Sequence, residues 1–309
     1  MDASLFGLIV ADIIAQPMGL RPPPPPGGLQ IVNSVTLTTG GNVCNTGLAM
    51  AKLGMKVAAA GMVGRDVLGA AVLERLQKSG IDTSAVITTD KAQTSATVVA
   101  VEPGGERAFF HTPGATPLLD ANAFRQCMPT FKRSRFVQIG YFGLLPTITP
   151  DLPALLQELR STAPDTKIAL DTVNPPAARN LLEPILPHIQ IFAPSRTEAA
   201  ALTGEKEPKQ MVANFRRHMP TGLIGIKLDS DGCYLDDGKR AVQIPACKIQ
   251  VVDTTGAGDT WFGGLLTALS RSMSLDQAGR FANRAAADCC TALGASAGVR
   301  SFDETFQRM

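Results

Sequence analysis

Hydrophobic and polar positions along the chain change their period repeatedly. Residues 5–10 form a short apolar run, with Leu5, Phe6, Leu8, Ile9 and Val10 around Gly7, which predicts a buried first strand with the acid Asp12 just past its end. Ile31, Val32, Val35 and Leu37 give residues 30–38 strand character. After Gly40 and Gly41 the spacing turns helical and stays so to about Gly54. Residues 55–60 read as a strand. Leu68, Val72, Leu73 and Leu76 repeat at helical spacing, Gly80 stops that helix, and Ile81 and Asp82 open a connection. Residues 94–101 and 107–111 flank Pro103, Gly104 and Gly105 and predict a hairpin. Strands then recur near 136–139, 168–171, 189–192 and 223–228, with a helix over 152–160. A further strand is predicted to end at 251–253, before a turn at 256–258 and a helix, and an alanine-rich helix covers 275–293.

Such alternation predicts an α/β fold in which a largely parallel sheet carries helices on its faces. The hairpin and the segment up to Thr38 interrupt it and are expected to form a small sheet of their own. Nothing repeats at a solenoid period and no linker divides the chain. Residues 1–309 are therefore expected to make one domain, with lid segments at about 12–40 and 93–115. The prolines at 22–26, followed by Gly27 and Gly28, lack the N–H groups that helix or central strand requires, and read as a stiff exposed spacer.

Composition narrows the partners. Of 309 residues, 45% are apolar and 18% charged, as in a core-rich globular chain. Lys+Arg 29 against Asp+Glu 27 leaves +2, too weak a field to argue for nucleic acid or an acidic membrane surface, so a small molecule is the expected partner. Cys44, Cys127, Cys233, Cys247, Cys289 and Cys290 form no C-x-x-C pair and are expected as free thiols, which fits the cytoplasm. Asp2 and Asp12 argue against a signal peptide in the apolar N-terminal segment, and no apolar stretch is long enough to span a bilayer.

The chemistry concentrates at Asp253, Thr254, Thr255, Gly256, Ala257, Gly258, Asp259 and Thr260, between the predicted strand and helix. First-turn N–H groups with the positive end of the helix dipole favour an anion, and glycines let a phosphate approach the backbone. Asp259 repels what that turn attracts, which is consistent with a general base that takes a proton from a hydroxyl attacking a phosphoryl group. A first-turn acid in a purely structural turn is the other reading, and the local pattern leaves both open. The spacing excludes a dinucleotide fingerprint, since Trp261 stands where the third glycine would fall, and no P-loop is present.

The stretch D-T-T-G-A-G-D from Asp253 to Asp259, followed by Phe262, Gly263 and Gly264, resembles the C-terminal signature of the PfkB (ribokinase-like) carbohydrate kinases. Gly40, Gly41, Asn42, Val43, Cys44 and Asn45, with Leu53, Gly54, Gly61, Gly64, Asp66 and Gly69, resemble that family's N-terminal signature. The resemblance implies a three-layer α/β sandwich with a small β lid, and an ATP-dependent kinase acting on a hydroxyl, expected to be primary, of a sugar or sugar-like alcohol. It implies Asp259 as catalytic base, and Gly256, Ala257 and Gly258 as an amide anion hole. Asp12, Gly40, Gly41, Asn42 and Asn45 are implied to line the sugar pocket, a carboxylate suiting paired hydroxyls.

On the nucleotide side the family's N-x-x-E appears as Ser195, Arg196, Thr197 and Glu198. Glu198 is implied to hold hydrated Mg²⁺. Lys227 and Gly232 lie in the stretch that usually ends G-S-x-G, with Asp229 in place of its first glycine. Asn283 falls on the helix that resembles the family's adenine side. Asp253 and Thr255, with carbonyls near 295–298, resemble a loop for a monovalent cation, K⁺. His111, His188 and His218 are assigned no chemistry, and Trp261 is expected beside the cradle. The lid strands are implied to offer a homodimer contact. Two alternatives stand beside the sugar kinase. One is a nucleoside kinase with Phe109, Phe110 or Tyr141 stacking on a base; the other is a non-catalytic regulator altered at Ser195 and Asp229.

Overall fold

The structure, a computed structural model, describes residues 1–19, 22–104, 106–173 and 179–309. In chain order the first half runs β1 (Ala3–Phe6), β2 (Val10–Gln16), β3 (Ser34–Gly40), α1 (Asn42–Lys52), β4 (Val57–Gly64), α2 (Val67–Lys78), β5 (Asp82–Thr89), β6 (Ser95–Val101), β7 (Arg107–Thr112) and α3 (Ala121–Phe131). It continues with β8 (Phe136–Phe142), α4 (Leu152–Thr162), β9 (Lys167–Thr172), α5 (Arg179–Leu182), β10 (Ile191–Phe192), α6 (Arg196–Thr203), α7 (Pro208–Phe215) and β11 (Leu223–Lys227). β12 (Cys233–Asp236), β13 (Ala241–Ile244), α8 (Ala257–Ser270), α9 (Leu275–Cys289) and α10 (Phe302–Gln307) complete it.

Among the described residues, nine strands form one sheet in the order β13-β12-β11-β10-β9-β8-β1-β4-β5, parallel except for the β11-β12 and β12-β13 pairs. Its central strands are buried on both faces because helices cover both. One cluster joins Phe6, Phe124, Phe131, Leu155 and Phe192 beneath α3, α4, α6 and α7. The other joins Leu5, Met50, Phe262 and Phe281 beneath α1, α2, α8 and α9. This is the three-layer arrangement expected, with β3-β2-β6-β7 as the separate small sheet. The hairpin of β6 and β7 is antiparallel as expected, while Gly105 of its turn lies outside the described residues.

Three expectations are corrected. The apolar run at 5–10 is two strands in two sheets, not one. Gly7, at φ 149°, breaks it, and the carboxamide of Asn42 fills the break by accepting from Leu8 N–H at 2.8 Å and donating to Phe6 C=O at 3.3 Å. Asp12 therefore sits within β2 of the lid. Residues 82–89 are strand β5, an edge of the large sheet, rather than a connection. No strand ends at 251–253: β13 stops before Pro245, and Val251 and Val252 are exposed without strand partners.

Register gives the lid two chemically different faces. Thr38, Asp12, Thr97 and His111 stand in one cross-strand row, and Leu37, Ile13, Val98 and Phe110 in the next, which points the opposite way. All six cysteines are free thiols, and all but the half-buried Cys247 are buried. Among the described residues no helix is long and apolar enough to cross a membrane.

Candidate active site

Two helix N-termini meet at the C-terminal ends of the parallel strands. α8 begins at Gly256, whose left-handed φ of 74° turns the chain into the helix. A side chain there would lie 2.5 Å from the Ala295 carbonyl. Ala257 N–H already donates to Thr254 C=O at 3.2 Å, while the helix's first turn otherwise leaves amides without carbonyls four residues back. α8 is pressed between α1 and α9, and Gly263 and Gly264 permit it: an added Cβ would stand 3.0 Å from Met50 and 3.1 Å from Ala285.

Asp259, in the first turn, is 5% exposed and faces α1. Its Oδ2 accepts from Asn45 Nδ2 at 2.9 Å and from the Tyr141 hydroxyl at 2.8 Å, and its Oδ1 accepts from Thr46 Oγ1 at 3.4 Å. Burial raises its pKa above the ordinary carboxylate value, and Asn45, Tyr141, Lys227 and Thr46 pull it back without cancelling the effect. Tyr141 reaches it from the end of β8 with a φ of 53°, a left-handed backbone that a tyrosine seldom adopts. The Asn45 Oδ1 is buried without a hydrogen-bond partner.

The same end of α1 also lies beside the second acid. A Cβ on Gly40 would stand 2.2 Å from Asp12 Oδ2, so the carboxylate lies directly over that glycine, at the entrance to α1. Gly41 is the helix N-cap, and Asn45 follows one turn on, about 6 Å along the axis. Burial raises the Asp12 pKa, against a Thr97 hydrogen bond and the nearby His111, which itself contacts Thr97 Oγ1 at 3.0 Å. His111 is thus a strand residue in the Asp12 row. Asn42, expected in the pocket, uses its carboxamide on the β1–β2 break.

A charged group borders α8 on the sheet side. Lys227 Nζ donates to Asp171 Oδ1 at 2.8 Å and would lie 3.7 Å from a Cβ on Gly258. Burial works against the ammonium, but Asp171, Glu198 and Asp259 outweigh it and raise its pKa; burial also raises the Asp171 carboxyl despite Lys227. Glu198 accepts from Thr172 Oγ1 at 2.6 Å and from Ser195 N–H at 2.8 Å. Ser195 and Glu198 form a reciprocal capping box on α6.

Farther out the nucleotide-side expectations fare differently. Asn283 is neither on the surface nor free: it accepts from Trp261 Nε1 at 2.8 Å and donates to the carbonyls of Ile244 and Pro245. Trp261 is correspondingly buried, its ring against Gly225 of β11 rather than in the cradle. Gly232 is demanded by crowding, since a Cβ would meet the Ile244 carbonyl at 2.0 Å. Asp229 is exposed at the start of a tight turn, with φ 53°.

The loop before α8 is tied to the lid. Asp253 Oδ1 accepts from Arg107 at 2.9 Å and from the Thr255 N–H and hydroxyl, Oδ2 accepts from Gly294 N–H at 2.8 Å, and Arg107 also bonds Thr255 Oγ1. Burial alone would raise the Asp253 carboxyl; Arg107 and these donors hold it well below the usual range. Thr46, Asp171, Thr172 and Arg107 were not singled out for this site from the sequence, and Tyr141, named there as a ring to stack on a base, instead gives its hydroxyl to Asp259. Asp171 and Tyr141 lie at or near the C-terminal ends of parallel strands, where α/β sheets bind ligands, and that rule was the available signal.

The glycine-rich start of α8 and a buried carboxylate among donors thus lie beside a small β lid that carries a second carboxylate. Residues 2–301 match the pfkB family of carbohydrate kinases, and the chain belongs to that family. It is 28% identical over 309 residues to a ribokinase of Haemophilus influenzae, covering 98% of this chain and 97% of the relative. It is 30% identical to fructokinase-1 of rice (Oryza sativa), covering 83% of each. The structure of Arabidopsis thaliana ribokinase complexed with ribose and ATP superposes with a TM-score of 0.82 at 22% identity, covering 99% of this chain and 97% of that one.

Proposed function

We propose that this chain transfers the γ-phosphoryl group of ATP to a hydroxyl, most simply a primary one, of a sugar or sugar-like alcohol. The observation that carries the reading is the Asp259 carboxylate, buried at the start of α8 and bonded to the same helix whose first turn lies under Asp12. A sugar held by Asp12 would rest along α1, and the unpartnered Asn45 Oδ1 suits a hydroxyl donor. Asp259 would take the proton of the attacking hydroxyl. The amides of Gly256 and Gly258, with Lys227, would face the charge on the transferred group, and that of Ala257 would join them only on leaving Thr254 C=O. The polar lid face would exclude water, a competing acceptor.

The family implies ATP use. Asp171, Glu198 and Asp259 surround a single lysine, a surplus of negative charge that fits a divalent cation. Among the described residues no three His, Cys, Asp or Glu side chains converge as direct ligands. Glu198 and Asp171 would therefore hold Mg²⁺ largely through its waters, the mode that ion prefers, and the ion would neutralise phosphate charge. Leu37, Val98 and Phe110 are exposed on the outer lid face, where a second copy would pack in the expected homodimer.

An ADP-release screen over ketoses, aldoses, sugar acids, sugar phosphates and nucleosides tests the assignment. Nucleosides belong in it because Phe109 lies on the same lid face as Asp12 and is exposed. For the accepted substrate, Asp259→Asn is expected to lower turnover by about 10²–10⁴-fold with ATP affinity kept. An unchanged rate removes Asp259 from the role of base. ATP binding without phosphorylation of any candidate favours the non-catalytic alternative.

A further inference from the structure

The loop before α8, expected to hold a monovalent cation through Asp253, Thr255 and carbonyls near 295–298, has most of its oxygens engaged by the chain itself. A carboxylate offers about four acceptor positions. On Asp253, Arg107, the Thr255 N–H and the Thr255 hydroxyl crowd Oδ1, and Gly294 N–H takes one position of Oδ2. On the opposite side Lys52 Nζ, from the end of α1, donates to the carbonyls of Ser296 at 2.6 Å and Ala297 at 3.3 Å. Cys289 Sγ donates to the carbonyl of Ala295 at 3.2 Å. Two basic side chains thus bracket the loop, and an entering K⁺ would compete with their donors for acceptors already in use. These residues do not fit a bound monovalent cation.

We propose that Arg107 and Lys52 replace that cation, and that Arg107, carried on the lid, completes the loop when the lid closes. The inference rests on the kinase reading above, because the loop matters through what it positions. Asp253 lies three residues before Gly256, and the Gly256 turn packs on Ala295, so fixing Asp253 and Thr255 fixes the start of α8. Arg107 is the first residue of β7, next to the hairpin turn, and its side chain is 27% exposed while that of Asp253 is 4% exposed. A guanidinium supplies the charge of an alkali ion together with directed donors, and it moves with the sheet that bears Asp12. Sugar capture and ordering of the amide cradle then become one event. Arg107 is on this account a positioning residue, acting through Asp253.

The test compares KCl with choline chloride at about 0.1 M, equal ionic strength, on the full chain. Wild-type ADP formation and melting temperature are expected to be the same in both salts. Arg107→Ala is expected to lose about 10–100-fold in turnover, the scale of one hydrogen bond to a charged group, and to regain part of it in K⁺ but not in choline. Arg107→Lys should retain more activity than the alanine variant, and melting curves check that each variant is folded. A wild-type rate several-fold higher in K⁺, or Arg107→Ala with wild-type turnover, overturns the proposal. If no sugar or nucleoside is phosphorylated, the kinase assignment fails, and the melting arm still decides the inference: wild-type protein stabilised by K⁺ over choline refutes the replacement.

Discussion

Replacing Tyr141 by phenylalanine isolates one hydroxyl of the candidate active site. Both residues must adopt the left-handed backbone at position 141, so strain cancels in the comparison. What is lost is the donor at 2.8 Å from Asp259 Oδ2, leaving Asn45 and Thr46 as side-chain donors to that carboxylate. A hydrogen bond to a charged group contributes about 1.5–3 kcal/mol, and about 1.36 kcal/mol corresponds to one pKa unit. The Asp259 pKa, already above 3.8 because of burial, should therefore rise by roughly 1–2 units more. A base works in its ionised form, so activity is present above the folded-state pKa and is lost as pH falls through it; raising that pKa moves the loss to higher pH. The assay is kcat for ADP formation against pH with the accepted sugar. The acid limb of Tyr141→Phe should lie about 1–2 units above that of wild type, with rates converging on the alkaline side. A limb that stays in place, or a rate lowered by one factor at every pH, refutes the link between this hydroxyl and the base.

Two further substitutions probe the pocket and the frame. Gly40→Ala puts a Cβ 2.2 Å from Asp12 Oδ2 and must displace that flexible carboxylate, so the sugar KM should rise about 10–100-fold with little change in melting temperature; an unchanged KM removes Asp12 from substrate binding. Asp288 is fully buried on α9 and pairs with Arg284 at 2.6 Å and with Arg308 of the C-terminal segment at 3.1 Å. Asp288→Ala strands the buried Arg284 guanidinium and should cost about 3–5 kcal/mol in urea unfolding, and a loss below about 1 kcal/mol would show that the arginines find other partners.

What the sequence disclosed was mostly what is local. The D-T-T-G-A-G-D stretch reads as a helix start because its glycines, its acid and the following apolar positions are neighbours in the chain. The apolar run at 5–10 misled because both sides of the Gly7 break are buried, so hydrophobicity never falls where the strand changes sheets; the Asn42 that fills the break is 35 residues away. Residues 251–253 look like a strand by their valines, yet the pair that forms is β12 and β13, whose Asp237-Gly238 turn was a hairpin signal not weighed. Ser195 and Glu198 were read through a nucleotide motif, when the same S-x-x-E spacing also specifies a helix cap.

Long-range polar pairs are the remaining class, and they decide the chemistry here. Arg107 and Asp253 are 146 residues apart, Asn45 and Asp259 214, and no period or local propensity couples them. A lone arginine beginning a lid strand is unremarkable in composition, because arginines are ordinarily solvated there. Its meaning comes from closing the small sheet over the large one, which places a guanidinium on a carboxylate whose charge burial disfavours. The same logic applies to Tyr141: only the pairing of β8 beside β1 and the packing of α8 on α1 bring that hydroxyl to Asp259. Short motifs therefore locate the proposed cradle and the acid proposed as its base. The groups that set their charge are fixed by which layers the topology stacks, and substitution at those distant partners is the sharper test of mechanism.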